Sequence, residues 1–214
     1  MSIQAITGAW LHMVGVVVTA NYHNPSILIK VLVNSKIVPS GWKIVKTIST
    51  PAESIVRYDN GINWLVNQQR LDISKEYNVP FVDHVDDSIH DLAEACIKRL
   101  PHVPYQNIGL NCAISVPNED PLQWMTEKFL KTKSYSKDIV MEPRFAIKTG
   151  EAILNLDFTG GIEQRDGKQV GSVFVLCNHH FAGPFKSSDD MIRVLSGWKD
   201  TRSIIADMLN EVLV

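Results

Sequence analysis

The sequence predicts an α+β fold in which one β-α-β-β-β-α unit occurs twice and builds a largely antiparallel sheet with helices packed on one face. Three observations predict this fold: an alternating strand at mid-chain, a hairpin signal in the first half, and landmarks of the first half that recur in the second. We expect a single compact domain over residues 1–214, made of pseudo-repeats at about 11–100 and 107–214. A strand–helix–strands–helix unit used twice naturally forms one continuous sheet.

The mid-chain strand covers residues 107–116, where apolar residues alternate with small or polar ones. Successive side chains of a strand point to opposite faces, so this period of two predicts a half-buried strand. Its apolar face consists of Ile108, Leu110, Cys112, Ile114 and Val116.

The clearest local signal is the Asn60-Gly61 pair between two apolar runs, residues 54–58 and 62–69. Asn-Gly adopts the positive backbone angles of a type I′ turn, which matches the twist of paired strands. The sequence therefore predicts a hairpin with a type I′ turn. Residues 71–74 are interpreted as an extension of its second arm, and residues 77–85 as a loop.

The other elements follow from apolar periodicity and from capping residues. Further strands are predicted at 9–21, 43–49, 139–148, 151–158 and 170–181. Helices are predicted at 26–33, from Asp86 or Asp87 to about 100, at 122–131, and from Ser187 or Ser188 to 212 with a bend at Gly197. The glycine-rich stretch 159–169 is predicted to be a mobile turn.

The duplication depends on three pairs of landmarks with nearly constant spacing. They are Pro25 and Pro121 at the first helices, Asn60-Gly61 and Gly160-Gly161 at the hairpin turns, and Asp86 and Ser187 at the closing helices. The alternative is that an α+β chain of this size shows a similar spacing of turn and capping residues by chance. Residue identity between the two units is poor.

The predicted order of elements resembles the TATA-binding-protein-like fold, although the basic face that bends DNA in that family is not visible here. The segments YDNGINWLVNQQRLDIS, NIGLNCAISV and LNLDFTGG also resemble a sporadically distributed bacterial family of uncharacterised proteins. Members of that family have two such halves, with a strand similar to IGL-x-x-x-I at the join. The resemblance implies a two-half α+β fold and brings no known catalytic residues with it.

Composition limits the possible partners and compartments. The formal net charge is −2 and no segment concentrates Lys and Arg, so the electrostatic term that drives nucleic-acid binding is missing. The three cysteines lie far apart in the sequence, which argues against a disulfide framework and for a reducing compartment. The apolar run 13–20 is too short to span a bilayer. We expect a cytoplasmic protein without membrane or nucleic-acid partners.

A polar pocket is one candidate site. If the polar face of the sheet is concave, it would be lined by Asn111, Asn155, Asp157, Asn178 and His180. Asp157 and His180 would then be a candidate catalytic acid–base pair. The favoured alternative is that these residues form the solvated face of an antiparallel sheet.

The CNHHF segment offers a second candidate, because Cys177 and His179 share one face of a strand. This pair supplies two zinc ligands at most, and no second Cys/His pair is evident, so we expect no metal site and no cofactor. The favoured interpretation is that the histidines bond to neighbouring backbone groups. Cys96 and Cys112 fall on apolar faces, where a thiol behaves as a small hydrophobic group.

These patterns favour a non-enzymatic binding or assembly protein that presents its extended sheet to a protein partner or small ligand, as a homodimer. Nucleophile elbows, phosphate loops and dinucleotide glycine patterns are absent from the sequence. The alternative is a hydrolase or isomerase that uses Asp157 and His180 between the two halves.

Overall fold

The described residues of this protein form a sheet of nine antiparallel strands. The structure, a computed structural model, describes residues 8–27, 32, 36–81, 88–130 and 141–213. The strands are β1 (Trp10–Ala20), β2 (Ile44–Ser49), β3 (Glu53–Tyr58), β4 (Ile62–Asn67), β5 (Arg70–Pro80), β6 (Tyr105–Pro117), β7 (Arg144–Thr149), β8 (Ala152–Arg165) and β9 (Lys168–Ala182). Their spatial order is β2-β3-β4-β5-β1-β6-β9-β8-β7.

Among the described residues, four helices accompany the sheet. They are α1 (Ser88–Arg99), α2 (Pro121–Met125), α3 (Ser188–Ser196) and α4 (Trp198–Leu213). A 3-10 turn lies at Pro25–Ile27, and α2 continues as a π-helical turn over Thr126–Leu130. None of the described helices is long and apolar enough to cross a membrane.

The two central strands are β1 and β6, which begin the two halves of the chain and pair with each other. In each half the last strand lies beside the central one, and the earlier strands follow outward in reverse order. The first half contributes five strands and the second half four. The prediction of three strands after the first helix therefore holds for the second half and is wrong for the first.

The extra strand is β5, which replaces the predicted hairpin extension and the loop at 77–85. The side chain of Asn67 ends β4 by accepting hydrogen bonds from the backbone of Gln69 and Arg70, both at 2.9 Å. The chain then reverses direction and enters β5, in which the alternate residues Leu71 and Ile73 are buried.

The predicted hairpin between β3 and β4 forms, but its turn is not type I′. A type I′ turn needs two positive φ angles, and of the turn residues only Gly61 has one, at 84°. The backbone N–H of Gly61 donates to the carbonyl of Tyr58 at 3.2 Å and closes a three-residue loop.

The stretch 159–169 is not a mobile turn. Strand β8 continues through it to Arg165, and the reversal occurs at Asp166 and Gly167, where both φ angles are positive at 49° and 75°. Gly161 lies within this strand, paired with Ser172. A Cβ at Gly161 would lie 2.9 Å from the Phe174 ring, which explains why the position suits glycine. The Gly160-Gly161 landmark of the duplication therefore does not mark a hairpin turn.

Gly171 of β9 gives a testable consequence of the same close packing. A Cβ at this position would lie 2.5 Å from the carbonyl oxygen of Asn118, which is backbone and cannot move aside cheaply. We expect Gly171→Ala to lower the free energy of unfolding by about 1–3 kcal/mol, measured by urea denaturation. The control is Gly41→Ala, where nothing lies within 4 Å of the added methyl group. Equal stabilities of the two variants would contradict the close approach.

The helices cover one face of the sheet and bury its apolar side chains. Helix α1 contributes the predicted stripe of buried residues, Ile89, Leu92, Ala93, Cys96 and Ile97. The last helix begins, as predicted, after Ser187, whose hydroxyl accepts from the Asp190 backbone N–H. The predicted bend at Gly197 is a break that separates α3 from α4. No described helix lies on the opposite side of the sheet, which we call the open face.

Several predicted bounds are shifted or extend beyond the described residues. The helix predicted at 26–33 is described only by the 3-10 turn and Leu32, and the candidate caps Asp86 and Asp87 lie outside the described residues. The strand predicted at 139–148 is confirmed as β7, which begins at Arg144. The helix predicted at 122–131 is confirmed as α2 with its π-helical continuation, and residue 131 lies outside the described part.

Candidate functional site

Three predicted site residues lie side by side on the open face. Asn111 of β6 is opposite Asn178 of β9, which is opposite Asn155 of β8. All three are half-buried, and the Asn178 side-chain amide donates to Asn111 Oδ1. Gly109 makes room for this amide, because a Cβ there would lie 2.8 Å from Asn178 Nδ2. The result is a short row of amides across the middle of the second half's sheet.

The predicted acid–base pair is not brought together. His180 lies opposite Ile153 of β8, whereas Asp157 lies opposite Leu176 of β9. The two residues are thus four positions out of register, which corresponds to roughly 13 Å along the strands. Proton transfer needs groups within hydrogen-bond reach or joined by one water. Asp157 instead lies 3.7 Å from the guanidinium of Arg144.

Two large aliphatic side chains flank the amide row on the open face. Leu176 is 45% exposed and Ile153 is 43% exposed, and each sits on a strand with neighbours on both sides. The solvated face of an antiparallel sheet ordinarily carries polar residues. These two exposed aliphatic groups make the open face a candidate interaction surface.

His179 and Cys177 do not form half of a metal site. His179 is buried, and its Nε2 and Nδ1 lie 2.7 Å and 2.9 Å from the hydroxyls of Thr149 and Thr201. Its partners are therefore side-chain hydroxyls rather than the predicted backbone groups. Burial lowers the pKa of His179. Among the described residues, no three His, Cys, Asp or Glu side chains gather as metal ligands.

The Cys177 thiol has a different neighbour from the one considered in the sequence. It lies opposite Cys112 across β9 and β6, and both are buried free thiols. A hydrogen bond with Cys112 and burial raise the pKa of Cys177 well above its ordinary value. A thiol held in its protonated form is a poor nucleophile and a poor metal ligand.

A polar cluster that the sequence analysis missed lies at the other end of the open face. We call it the Glu163 cluster; its members are His12, Ser115, Glu163, Arg165 and Ser172. Arg165 Nε donates to Glu163 Oε1 at 2.7 Å, and the hydroxyls of Ser115 and Ser172 also donate to this carboxylate. The Glu163 and Arg165 side chains are only 9% and 10% exposed.

The electrostatics of the cluster favour an ionised carboxylate. Burial acts to raise the pKa of Glu163, but hydrogen bonds from Ser172, Arg165 and Ser115 outweigh it and hold the pKa below its usual range. The guanidinium is fixed further by the carbonyl of Gly8, 2.9 Å away, and by the Trp10 ring beneath it. The cluster therefore fastens the extended β8–β9 hairpin to β1 and β6.

His12, Ser115 and Glu163 are the residue types of a catalytic triad but lack its arrangement. A triad histidine accepts the serine proton through one ring nitrogen and is oriented through the other. Here His12 Nε2 alone faces both Ser115, at 2.7 Å, and Glu163, at 3.2 Å. The Ser115 hydroxyl donates to Glu163, and the residue is fully buried. The geometry is that of a satisfied structural network.

Comparison with known proteins adds no assignment. No protein-family model matches the chain, and no curated protein matches it.

Proposed function

We propose that this is a non-catalytic binding and assembly protein that forms a homodimer through its open face. The observation that carries the proposal is the exposure of Leu176 and Ile153 beside the amide row. A second copy of the chain is the protein partner whose charges fit. Arg144 and Asp157 lie next to each other at the edge of this surface, so a two-fold axis can set each against the opposite charge of the other copy. The net charge of −2 opposes such association little.

The experiment is light scattering on the purified chain. We expect a mass of about twice the 24.0 kDa of one chain. Leu176→Glu and Ile153→Glu place a charge in the contact and are expected to give monomers. The matched control is Ile162→Glu, which changes the same kind of side chain at a 70% exposed position away from the amide row. A monomeric wild-type protein would refute the proposal.

Charge reversal tests the two-fold arrangement. Asp157→Arg alone sets like charges against each other across the axis and is expected to weaken the dimer. Asp157→Arg combined with Arg144→Asp restores opposite charges and is expected to recover it.

A different route to a dimer is pairing of the edge strand β2, whose six residues are all exposed. The double variant Val45→Glu/Ile48→Glu separates the two routes. It is expected to remain dimeric if the open face forms the contact and to become monomeric if the edge does.

The hydrolase or isomerase alternative lacks support, because Asp157 and His180 are four positions out of register. As part of the proposal we place the protein in the cytoplasm, without a nucleic-acid partner. We further propose that its halves descend from one duplicated unit, which the matching strand order on either side of β1 and β6 supports. Superposing β3, β4, β5 and β1 on β7, β8, β9 and β6 tests the duplication, and a failure to overlay these strands would refute it.

A further inference from the structure

Strand β8 extends well beyond the strand that covers its outer side. Strand β7 begins at Arg144, whereas β8 continues to Arg165. The bond at the end of their pairing runs from the backbone N–H of Phe158 to the carbonyl of Pro143 at 2.9 Å. Proline has no N–H with which to continue the pairing. Residues 159–165 therefore have β9 on one side and no described strand on the other, and we call them the free edge of β8.

The backbone groups of alternate residues are unpaired along this free edge. An antiparallel strand directs the N–H and C=O of successive residues to opposite sides. The Phe158 N–H points towards β7. The N–H and C=O groups of Gly160, Ile162 and Gln164 therefore point to the same side, where they are bonded to no other described residue. All three residues are exposed, and such a row of unpaired groups is a template for another strand.

A cavity of about 390 Å³ lies against the free edge. Its lining includes Gly160 and Ile162, and Ile162 is 70% exposed. The apolar residues Leu122, Met125 and Met141 line it from α2 and from the segment before β7. A Cβ at Gly160 would lie 3.2 Å from Met125 Cε, so the cavity is on the side of the sheet that bears the helices. A strand added to the free edge would direct every second side chain into this cavity.

The cavity is acidic at its rim. Asp120 and Glu142 line it and are exposed, and none of the lining residues that the structure describes is Lys or Arg. Arg144 lies 4.0 Å from Glu142, but it also lies 3.7 Å from Asp157, which already opposes its charge. A second copy of this edge would bring the same carboxylates into the contact again, and like charges across an interface weaken binding. The free edge therefore suits a basic partner better than another copy of itself.

We propose that the free edge of β8 binds an extended, basic peptide segment of another protein as an added strand. An apolar side chain of this segment fills the cavity, and a lysine or arginine lies beside Asp120 and Glu142. Backbone hydrogen bonds to an open sheet edge give this mode of binding its affinity, and pockets for alternate side chains give its specificity. The site is separate from Leu176 and Ile153 on the open face, so the two proposals are tested by different variants.

The test uses the hexapeptide Lys-Val-Thr-Val-Thr-Lys, capped at both ends, whose two valines share one face of an extended strand. The peptide is titrated into the full chain while amide hydrogen exchange is followed by NMR. We expect exchange at the amides of Gly160, Ile162 and Gln164 to slow by about tenfold or more. The amides of Gly161 and Glu163 already face β9 and should not change. This alternation is specific to strand addition.

A proline at the edge tests the backbone pairing. Ile162→Pro removes one donor, and proline is tolerated on an edge strand where its nitrogen faces solvent. We expect it to weaken peptide binding by about tenfold. The matched control Ile162→Val keeps the N–H and a branched side chain, and should retain binding. Leu176→Glu, which tests the open-face dimer, should leave peptide binding unchanged.

The acidic rim is tested by neutralising it. In the wild-type chain, replacing both lysines of the peptide with glutamate should weaken binding by about three- to tenfold. Asp120→Asn/Glu142→Gln should abolish this preference, and the asparagine can still cap α2 as Asp120 does. The control Glu151→Gln/Asp207→Asn removes the same charges from exposed positions elsewhere and should keep the preference.

The exchange pattern decides the outcome. Absence of slowed exchange at Gly160, Ile162 and Gln164 would overturn the proposal, and so would unchanged binding in Ile162→Pro. Protection of these amides in the free chain that grows with protein concentration would mean that a second copy occupies the edge, which also overturns it.

Modified peptides replace Ile162→Pro if that variant fails to fold. A residue paired with Ile162 would share its face and direct its own N–H towards β8. Methylation of the two valine nitrogens should therefore weaken binding by about tenfold. Methylation of the two threonine nitrogens, which point away from β8, should weaken it less. Equal effects of the two modifications would overturn the proposal.

Discussion

Replacing Glu163 with alanine is expected to lower the free energy of unfolding by about 3–5 kcal/mol, the cost of breaking a buried ion pair from one side. The variant leaves the Arg165 guanidinium, only 10% exposed, without its counter-charge. It also removes the acceptor of the buried Ser115 and Ser172 hydroxyls. Urea denaturation followed by circular dichroism measures the change.

The matched control is Glu151→Ala, which removes the same side chain from an exposed position in the β7–β8 turn. Its effect should stay within about 0.5 kcal/mol. Because Glu163 and Arg165 share one network, the double variant Glu163→Ala/Arg165→Ala should cost less than the sum of the two single variants. A loss below about 1 kcal/mol for Glu163→Ala would mean that the carboxylate is solvated rather than buried.

The Glu163 cluster lies on the β8–β9 hairpin extension, a feature that could not be predicted from the sequence. The strand at 107–116 was predictable because the alternation of apolar and polar residues depends only on which face is buried. Strand β6 includes all of these residues. The β8–β9 extension was not predictable, since Gly160 and Gly161 are also typical of turns. Their actual role is to let Phe174 and Met125 approach the strand, at 2.9 Å and 3.2 Å from the would-be Cβ atoms. Such a contact involves residues distant in sequence and leaves no local pattern.

The candidate site, like the fold, could be predicted from the sequence only in part. Alternation along each strand placed Asn111, Asn155 and Asn178 on one face, and the structure brings them into one row. Alternation does not fix the register between strands, which is why Asp157 and His180 share the face without meeting. The cavity at the free edge of β8 combines three separate parts of the chain and had no local sequence signal.

His179→Phe is expected to lower the free energy of unfolding by about 2–4 kcal/mol, because the ring loses hydrogen bonds to two hydroxyls. Thr201 is 2% exposed and would be left without the imidazole that it contacts at 2.9 Å. Thr149 keeps a long contact of 3.4 Å with the Ala152 carbonyl, so its share of the cost is smaller. His180→Phe changes the same residue type one position away on the open face and should shift stability by about 0.5 kcal/mol or less.

The pH dependence identifies His179 more specifically than the loss of stability does. Burial lowers the pKa of His179 below 6.5 in the folded chain, so the unfolded chain binds more protons between that lowered pKa and 6.5. Stability is therefore fully present above pH 6.5 and falls as the pH drops through this window. His23, whose pKa is also lowered, acts in the same direction. The stability that Glu163 contributes is present above its ordinary pKa of 4.5 and is lost only as the pH falls below that value.

Comparing unfolding at about pH 7.5 and about pH 5 isolates the histidines from the carboxylates. The wild-type chain should lose stability over this interval. His179→Phe should lose less, because phenylalanine binds no proton in either state. An unchanged pH dependence in His179→Phe would mean that the imidazole has the same pKa in the folded and unfolded chains, and would contradict the lowering of that pKa by burial.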